Sequence, residues 1–187
     1  FTLLDMVRDR RRPFFLFINY MDAHWPYIPP RPFDKLYPGK IKRFTTERYG
    51  SLINVVLQQK RKMTKQEYSH LLSQYDGAIT YIDFHIAKLT ERLKKLGKYQ
   101  NSIIIITSDH GEAFGERDLI GHGVSVYQDQ IHIPLIIKYP NSREKAIVNK
   151  LVSLVDLMPT LLTVLDYEIP ARNQGQSLKV NRYKEIR

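Results

Sequence analysis

Between Tyr68 and Leu96, apolar and aromatic side chains recur at alternating steps of three and four: Tyr68, Leu71, Leu72, Tyr75, Ile79, Ile82, Ile86, Leu89, Leu93 and Leu96. That rhythm lays one continuous stripe along a helix, and a strand cannot use it. It predicts a helix over 66–96, stopped at Gly97, with Lys94 and Lys95 in the last turn facing the negative end of the helix dipole. Just beyond, SIIIIT at 102–107 predicts a strand buried on both faces. A long helix feeding directly into a buried strand is half of an α/β unit, and the remaining segments are read in that frame.

FFLFINY at 14–20 and IPLIIKY at 133–139 are continuous apolar runs of strand length, and each predicts another buried strand. VNKLVSLVD at 148–156 is read as holding a short one. Asp156 is placed to cap a last helix running to about residue 166, with Pro159 in its first turn, where proline is tolerated. Residues 1–10 read as the end of an amphipathic helix, with Leu3, Leu4 and Val7 on one side and Pro13 as the break. Prolines 26, 29, 30, 32 and 38 forbid regular helix or central strand, and 41–66 is basic, with room for a short helix. The stretch 21–66 is therefore read as a Pro-rich and basic loop excursion. The order of elements predicts one α/β domain over 1–187, with a mostly parallel or mixed sheet.

Composition excludes several chemistries. The chain has 187 residues, enough to bury a sizeable core, and no cysteine, which removes disulfides and cysteine–zinc sites. No run approaches the roughly 20 apolar residues of a membrane span. Lys and Arg number 29 against 19 acidic residues, a formal charge of +10 that favours anionic partners. The basic residues are spread out apart from RDRRR at 8–12 and KRKMTK at 60–65, with no basic stripe interleaved with aromatics. The charge is read as a solvated face, and nucleic acid is not the expected partner.

The isoleucine run stops on Ser108-Asp109-His110-Gly111-Glu112. In open α/β sheets, ligands collect beyond the carboxyl ends of strands, where Asp109 and His110 would stand. A hard carboxylate oxygen beside a neutral imidazole nitrogen makes half of a divalent metal site, and Gly111 lets the backbone turn there. His122 follows between Gly121 and Gly123. MDAHWPY at 21–27 repeats the pattern after another expected strand and delivers His24. If the two expected strand ends share one pocket, His24 and His122 can give hydrogen bonds to an anionic ester while a cation held by Asp109 and His110 neutralises the nucleophile; taken singly, each also reads as an ordinary loop histidine. Glu112 and Glu116 are read either as groups that orient imidazoles or as solvated carboxylates. His70 and His85 lie off the helical stripe and are assigned to the surface. No role is given to His132. There is no Gly-x-Ser-x-Gly elbow and no phosphate-binding glycine loop.

At this point the sequence resembles the sulfatases of the alkaline phosphatase superfamily. Four segments carry the likeness: FFLFINYMDAHWPYIPP; YDGAITYIDFHIAKLTERLKKLG; NSIIIITSDHGEAFGE with GHG and IPLIIKYP; and LVSLVDLMPTLLTVLDYEIPARNQGQSL. The resemblance implies an alkaline-phosphatase-like α/β three-layer sandwich, present here in part, and hydrolysis of sulfuric acid esters. It implies that Asp109 and His110 ligate a divalent metal, calcium in typical sulfatases, although this ligand pair also suits manganese or zinc. It implies that His24 and His122 bind the sulfate or phosphate oxygens and that one of them protonates the leaving group. Two features depart from the pattern. Many relatives place a histidine after Gly115-Glu116, where this chain has Arg117, and the GHG form also resembles phosphoethanolamine transferases. The family's nucleophile segment, Cys/Ser-x-Pro-x-Arg with two further acidic ligands, is not in these residues, so the chain reads as the C-terminal part of a catalytic domain. A phosphotransferase or phosphodiesterase on the same scaffold, and a basic non-catalytic anion- or nucleic-acid-binding domain, are the alternatives.

Overall fold

The computed structural model describes residues 13–179; the helix expected over 1–10 and the basic run at 8–12 lie outside this range. The described residues form two compact units, those of 13–99 with 110–133 and those of 100–109 with 134–179.

The first unit is built on α2, Lys65–Lys95, which follows the shorter α1, Thr46–Leu57. The Thr64 hydroxyl accepts from the Glu67 N–H, and the Glu67 carboxylate accepts from the Thr64 N–H, which satisfies two of the donors that every helix start leaves open. At the other end, Gly97 adopts φ +66°. Its N–H bonds Lys94 O, and the Lys98 N–H reaches back to Leu93 O, closing the helix in a Schellman turn. The helix expected from the apolar stripe is thus present, with both ends explained.

The core of this unit contains Tyr27, Tyr49, Leu52, Val56, Leu71, Phe114 and Ile120. Two corrections follow. Residues 21–66 are not simply an excursion, because α1 supplies Tyr49, Leu52 and Val56 to the core. The Tyr49 hydroxyl, deeply buried, donates to Tyr27 O at 3.0 Å and ties the proline-rich loop to that helix. Phe33–Lys35 adds a short 3-10 turn to the same stretch. The second correction is His70, which is only 2% exposed. The N-terminal side of α2 is wrapped by α1 and the preceding loop, so its buried arc is wider than the stripe. Phe44 and Tyr49 pack on the imidazole at ring-centre distances of 4.2 and 5.9 Å. His85 is half-buried.

Burial, followed by the charges of Lys40 and Arg48, lowers the His70 pKa to about 4. Its Nδ1 accepts from the Ile41 N–H at 3.1 Å, so a second proton would break that bond. The unfolded chain takes up this proton near pH 6.5 and the folded chain only near 4, so the stabilisation is complete above 6.5 and lost as the pH falls towards 4. Wild-type protein should lose up to about 3 kcal/mol from this one group over that window. Urea unfolding at pH 7 and pH 4.5 should show a smaller difference for His70→Gln, and equal differences would contradict the assignment.

The segment 14–20 is not a strand: it has no regular structure, and Phe15 and Phe17 are 83% and 78% exposed. A strand needs a hydrogen-bonded neighbour, and none of the described strands pairs with it.

In the second unit β1, Ile104–Thr107, pairs antiparallel with β4, Leu135–Lys138, in the register Ile104↔Lys138 to Thr107↔Leu135. Each strand has one neighbour, so the isoleucines of β1 are half-buried and Ile136 stays exposed. The short strand expected within 148–156 is absent. In its place, Leu154–Asp156 forms a 3-10 turn leading into α4, Leu157–Val164. Asp156 stands at the head of α4, but its carboxylate accepts from Ser153 N–H and Gln176 N–H, not from the helix it was expected to cap. Thr160, fully buried, donates to Asp156 O and accepts from Leu178 N–H. Among the described residues, strand pairing is antiparallel within two-stranded sheets.

Candidate active site

The first unit gathers three of the four site residues read from the sequence: His24, His110 and His122. His110 and His122 stack, with ring centres 3.9 Å apart and planes inclined by 24°. His24 meets them edge-on, 5.1 Å from His122 and 6.4 Å from His110. Asp109 is exposed and ends the 100–109 segment of the second unit.

Each imidazole arrives by a different local device. His24 sits in a turn closed by its own N–H to Met21 O, not at a strand end. His110 precedes Gly111, whose N–H bonds Gln130 O at 2.7 Å on α3, Gln128–Ile131. A Cβ on Gly111 would stand 2.2 Å from Asp129 O, so glycine is required for this close approach and not for an unusual φ. His122 follows a hairpin in which β2, Ala113–Phe114, pairs with β3, Ile120–Gly121.

Hydrogen bonding assigns the ring protons. His24 Nδ1 lies 2.8 Å from Trp25 O, and His110 Nδ1 lies 2.8 Å from Gly111 O. A carbonyl oxygen only accepts, so each Nδ1 carries a proton, and in the neutral ring the lone pair is on Nε2. His122 Nδ1 faces both oxygens of Glu112, at 3.1 and 3.3 Å. The same Nδ1-bonded arrangement orients imidazoles that serve metals or anions through Nε2. Behind Glu112 lies Tyr27, whose hydroxyl bonds the carboxylate; burial first, then the Glu112 charge, drives the phenol pKa far upward.

Ligand atoms of His110, Glu112 and His122 lie within 4.8 Å of one another, the one such trio among the described residues. The donor set suits a divalent cation. However, imidazole lone pairs lie in the ring plane, and two rings stacked at 3.9 Å cannot both aim at one ion about 2 Å from each nitrogen. At most one ring of the pair can turn its lone pair to such a cation. The Glu116 carboxylate accepts from the nearby Phe114 N–H. The sequence pattern alone leaves Glu112 undecided. The usable signal was the hairpin, which sets it across from His122.

Residues 2–167 match the family model named Sulfatase. An arylsulfatase of Clostridium perfringens is 29% identical over 186 residues, covering 92% of this chain and 38% of that protein. An endo-4-O-sulfatase of Bacteroides thetaiotaomicron is 27% identical, covering 91% of this chain and 33% of its own length. Among solved structures, a phosphonate monoester hydrolase from Silicibacter pomeroyi superposes with a TM-score of 0.68 at 26% identity, over 83% of this chain and 34% of that one. This chain therefore shares the alkaline-phosphatase-like α/β fold of these proteins and spans about a third of their length. On the family match across most of its residues, the chain belongs to the sulfatase family.

Proposed function

We propose that this chain carries the cation- and anion-binding part of a catalytic centre for metal-dependent hydrolysis of sulfuric acid esters. The observation that carries the reading is the cluster of three imidazoles, each with Nδ1 held by an oxygen. Asp109 and His110 would hold the divalent cation, calcium by resemblance, with manganese or zinc also compatible with an oxygen and nitrogen donor pair. When bound, such a cation neutralises charge on the ester and on the attacking oxygen. His24 and His122, each held through Nδ1, present Nε2 to the ester and donate to its oxygens when that nitrogen also carries a proton. As the oxygen of a nucleophile from outside these residues bonds to sulfur, the sulfur–oxygen bond to the leaving group breaks and its electron pair goes to the leaving oxygen. One of the two rings supplies that oxygen with a proton and becomes neutral. The nucleophile and further acidic ligands would come from residues outside the 187, so the chain is read as the C-terminal part of its domain.

The test compares residues 1–187 alone with the full-length polypeptide that carries them, on an aryl sulfate. The expected result is little or no turnover by the 187-residue chain and metal-dependent turnover by the longer one. Robust hydrolysis by the short chain would refute the incomplete-centre reading. A second reading, phosphoryl or phosphonyl ester chemistry in the same pocket, is favoured by the superposition on a phosphonate monoester hydrolase. Matched aryl sulfate and aryl phosphate substrates separate the two.

A further inference from the structure

The sulfatase reading gives His122 a task but does not explain what holds its ring. His122 stands between Gly121 and Gly123, at φ +81° and +78°. Neither glycine has a side chain to brace the imidazole, and a Cβ on Gly123 would meet nothing within 4 Å. The ring also stacks on His110 and meets the edge of His24.

The β2–β3 hairpin supplies the missing support. Its register pairs Phe114 with Ile120 and Ala113 with Gly121. One step further sets Glu112 directly opposite His122, on the same face of the ladder, where cross-strand side chains meet. The Glu112 side chain is 4% exposed, and both of its oxygens approach His122 Nδ1, at 3.1 and 3.3 Å. A Cβ on Gly121 would lie in ordinary contact with Glu112 Oε1, at 3.6 Å, so it is the φ of +81° and not space that favours glycine there. A carboxylate facing the ring in this way is an orienting partner. The carboxylate already accepts from the ring on one side and from the Tyr27 hydroxyl on the other, the placement of an orienting partner rather than of a ligand aimed at His110.

We propose that Glu112 is a positioning residue for the hydrolytic site: it fixes the tautomer and direction of the His122 ring from behind, and it is not a ligand of the cation. The proposal rests on the sulfatase reading for what His122 does, but not for how its ring is held.

The test uses the full-length polypeptide with Glu112→Gln and Glu112→Leu. Gln keeps an oxygen that accepts from Nδ1–H; Leu keeps bulk and removes every acceptor. Both variants should retain the wild-type metal content. Leu should lower kcat by roughly 10- to 100-fold, the usual effect of losing an orienting partner, with KM little changed, and Gln should restore most of the rate. Long-range proton–nitrogen spectra of the imidazoles should show His122 protonated on Nδ1 in wild type and Gln, and a mixture of tautomers in Leu. Loss of metal from the Gln variant would make Glu112 a ligand and overturn the proposal, even if the Leu variant fails to fold. Unchanged turnover in Leu, or an unchanged His122 tautomer in Leu, would overturn it as well. If wild type hydrolyses no ester, the functional reading fails, and the tautomer measurement still decides the role of Glu112.

Discussion

Replacing His110 with alanine is expected to lower ester turnover by on the order of 10³-fold and to release the bound cation in the same step. The ring has its Nδ1 on Gly111 O at 2.8 Å, so the deleted atom that matters is Nε2. Among the described residues, the neighbouring imidazole does not replace that nitrogen: His122 lies in a nearly parallel plane and is engaged by Glu112. Asp109→Ala should behave in the same way, since a cation that loses either its carboxylate or its imidazole loses a large part of its binding free energy. Metal analysis and steady-state rates on the same preparations give the check. Either variant that keeps both its metal and its activity removes that residue from the site.

The second large effect belongs to the two other imidazoles. His122→Ala and His24→Ala are each expected to cost about 10²- to 10³-fold in kcat while leaving the metal content unchanged, the pattern of a lost donor to the ester oxygens. The residue that protonates the leaving group can be told from its neighbour by varying the substrate. Its loss should be felt most by esters of poorly acidic alcohols and least by esters of acidic phenols, which depart without help. If both variants lose rate equally across the series, neither supplies the proton. If either loses metal along with rate, the division of labour drawn from the stacked rings is wrong.

Local patterns carried a good part of this structure. The stripe from Tyr68 to Leu96 locates α2 to within a residue at each end because an amphipathic period and a terminal glycine both act within one turn of the positions they mark. The run at 14–20 misled because hydrophobicity measures the demand for burial and says nothing of the partner. No described strand lies beside it, and its phenylalanines face water. His70 was misplaced for a related reason. The stripe identifies the centre of a buried face, but its width depends on what packs there, and α1 with the preceding loop covers a position that the spacing left outside. In the site, the three histidines were legible as residue types in unusual company. The protons on their Nδ1 atoms were not, because two of those bonds run to main-chain oxygens that no side-chain pattern encodes. The Glu112–His122 bond depends on strand alignment across a tight hairpin, a long step from composition.

That hairpin also makes the chemistry sensitive to length as well as identity. The connection from Phe114 to Ile120 is closed by the Gly115 N–H to Leu119 O at 2.7 Å, with Glu116–Asp118 coiled inside it. Adding or deleting one residue there would change no functional side chain. It would, however, slip the two strands by one position, and because successive strand residues point to opposite sides, the imidazole and its carboxylate would then face away from each other.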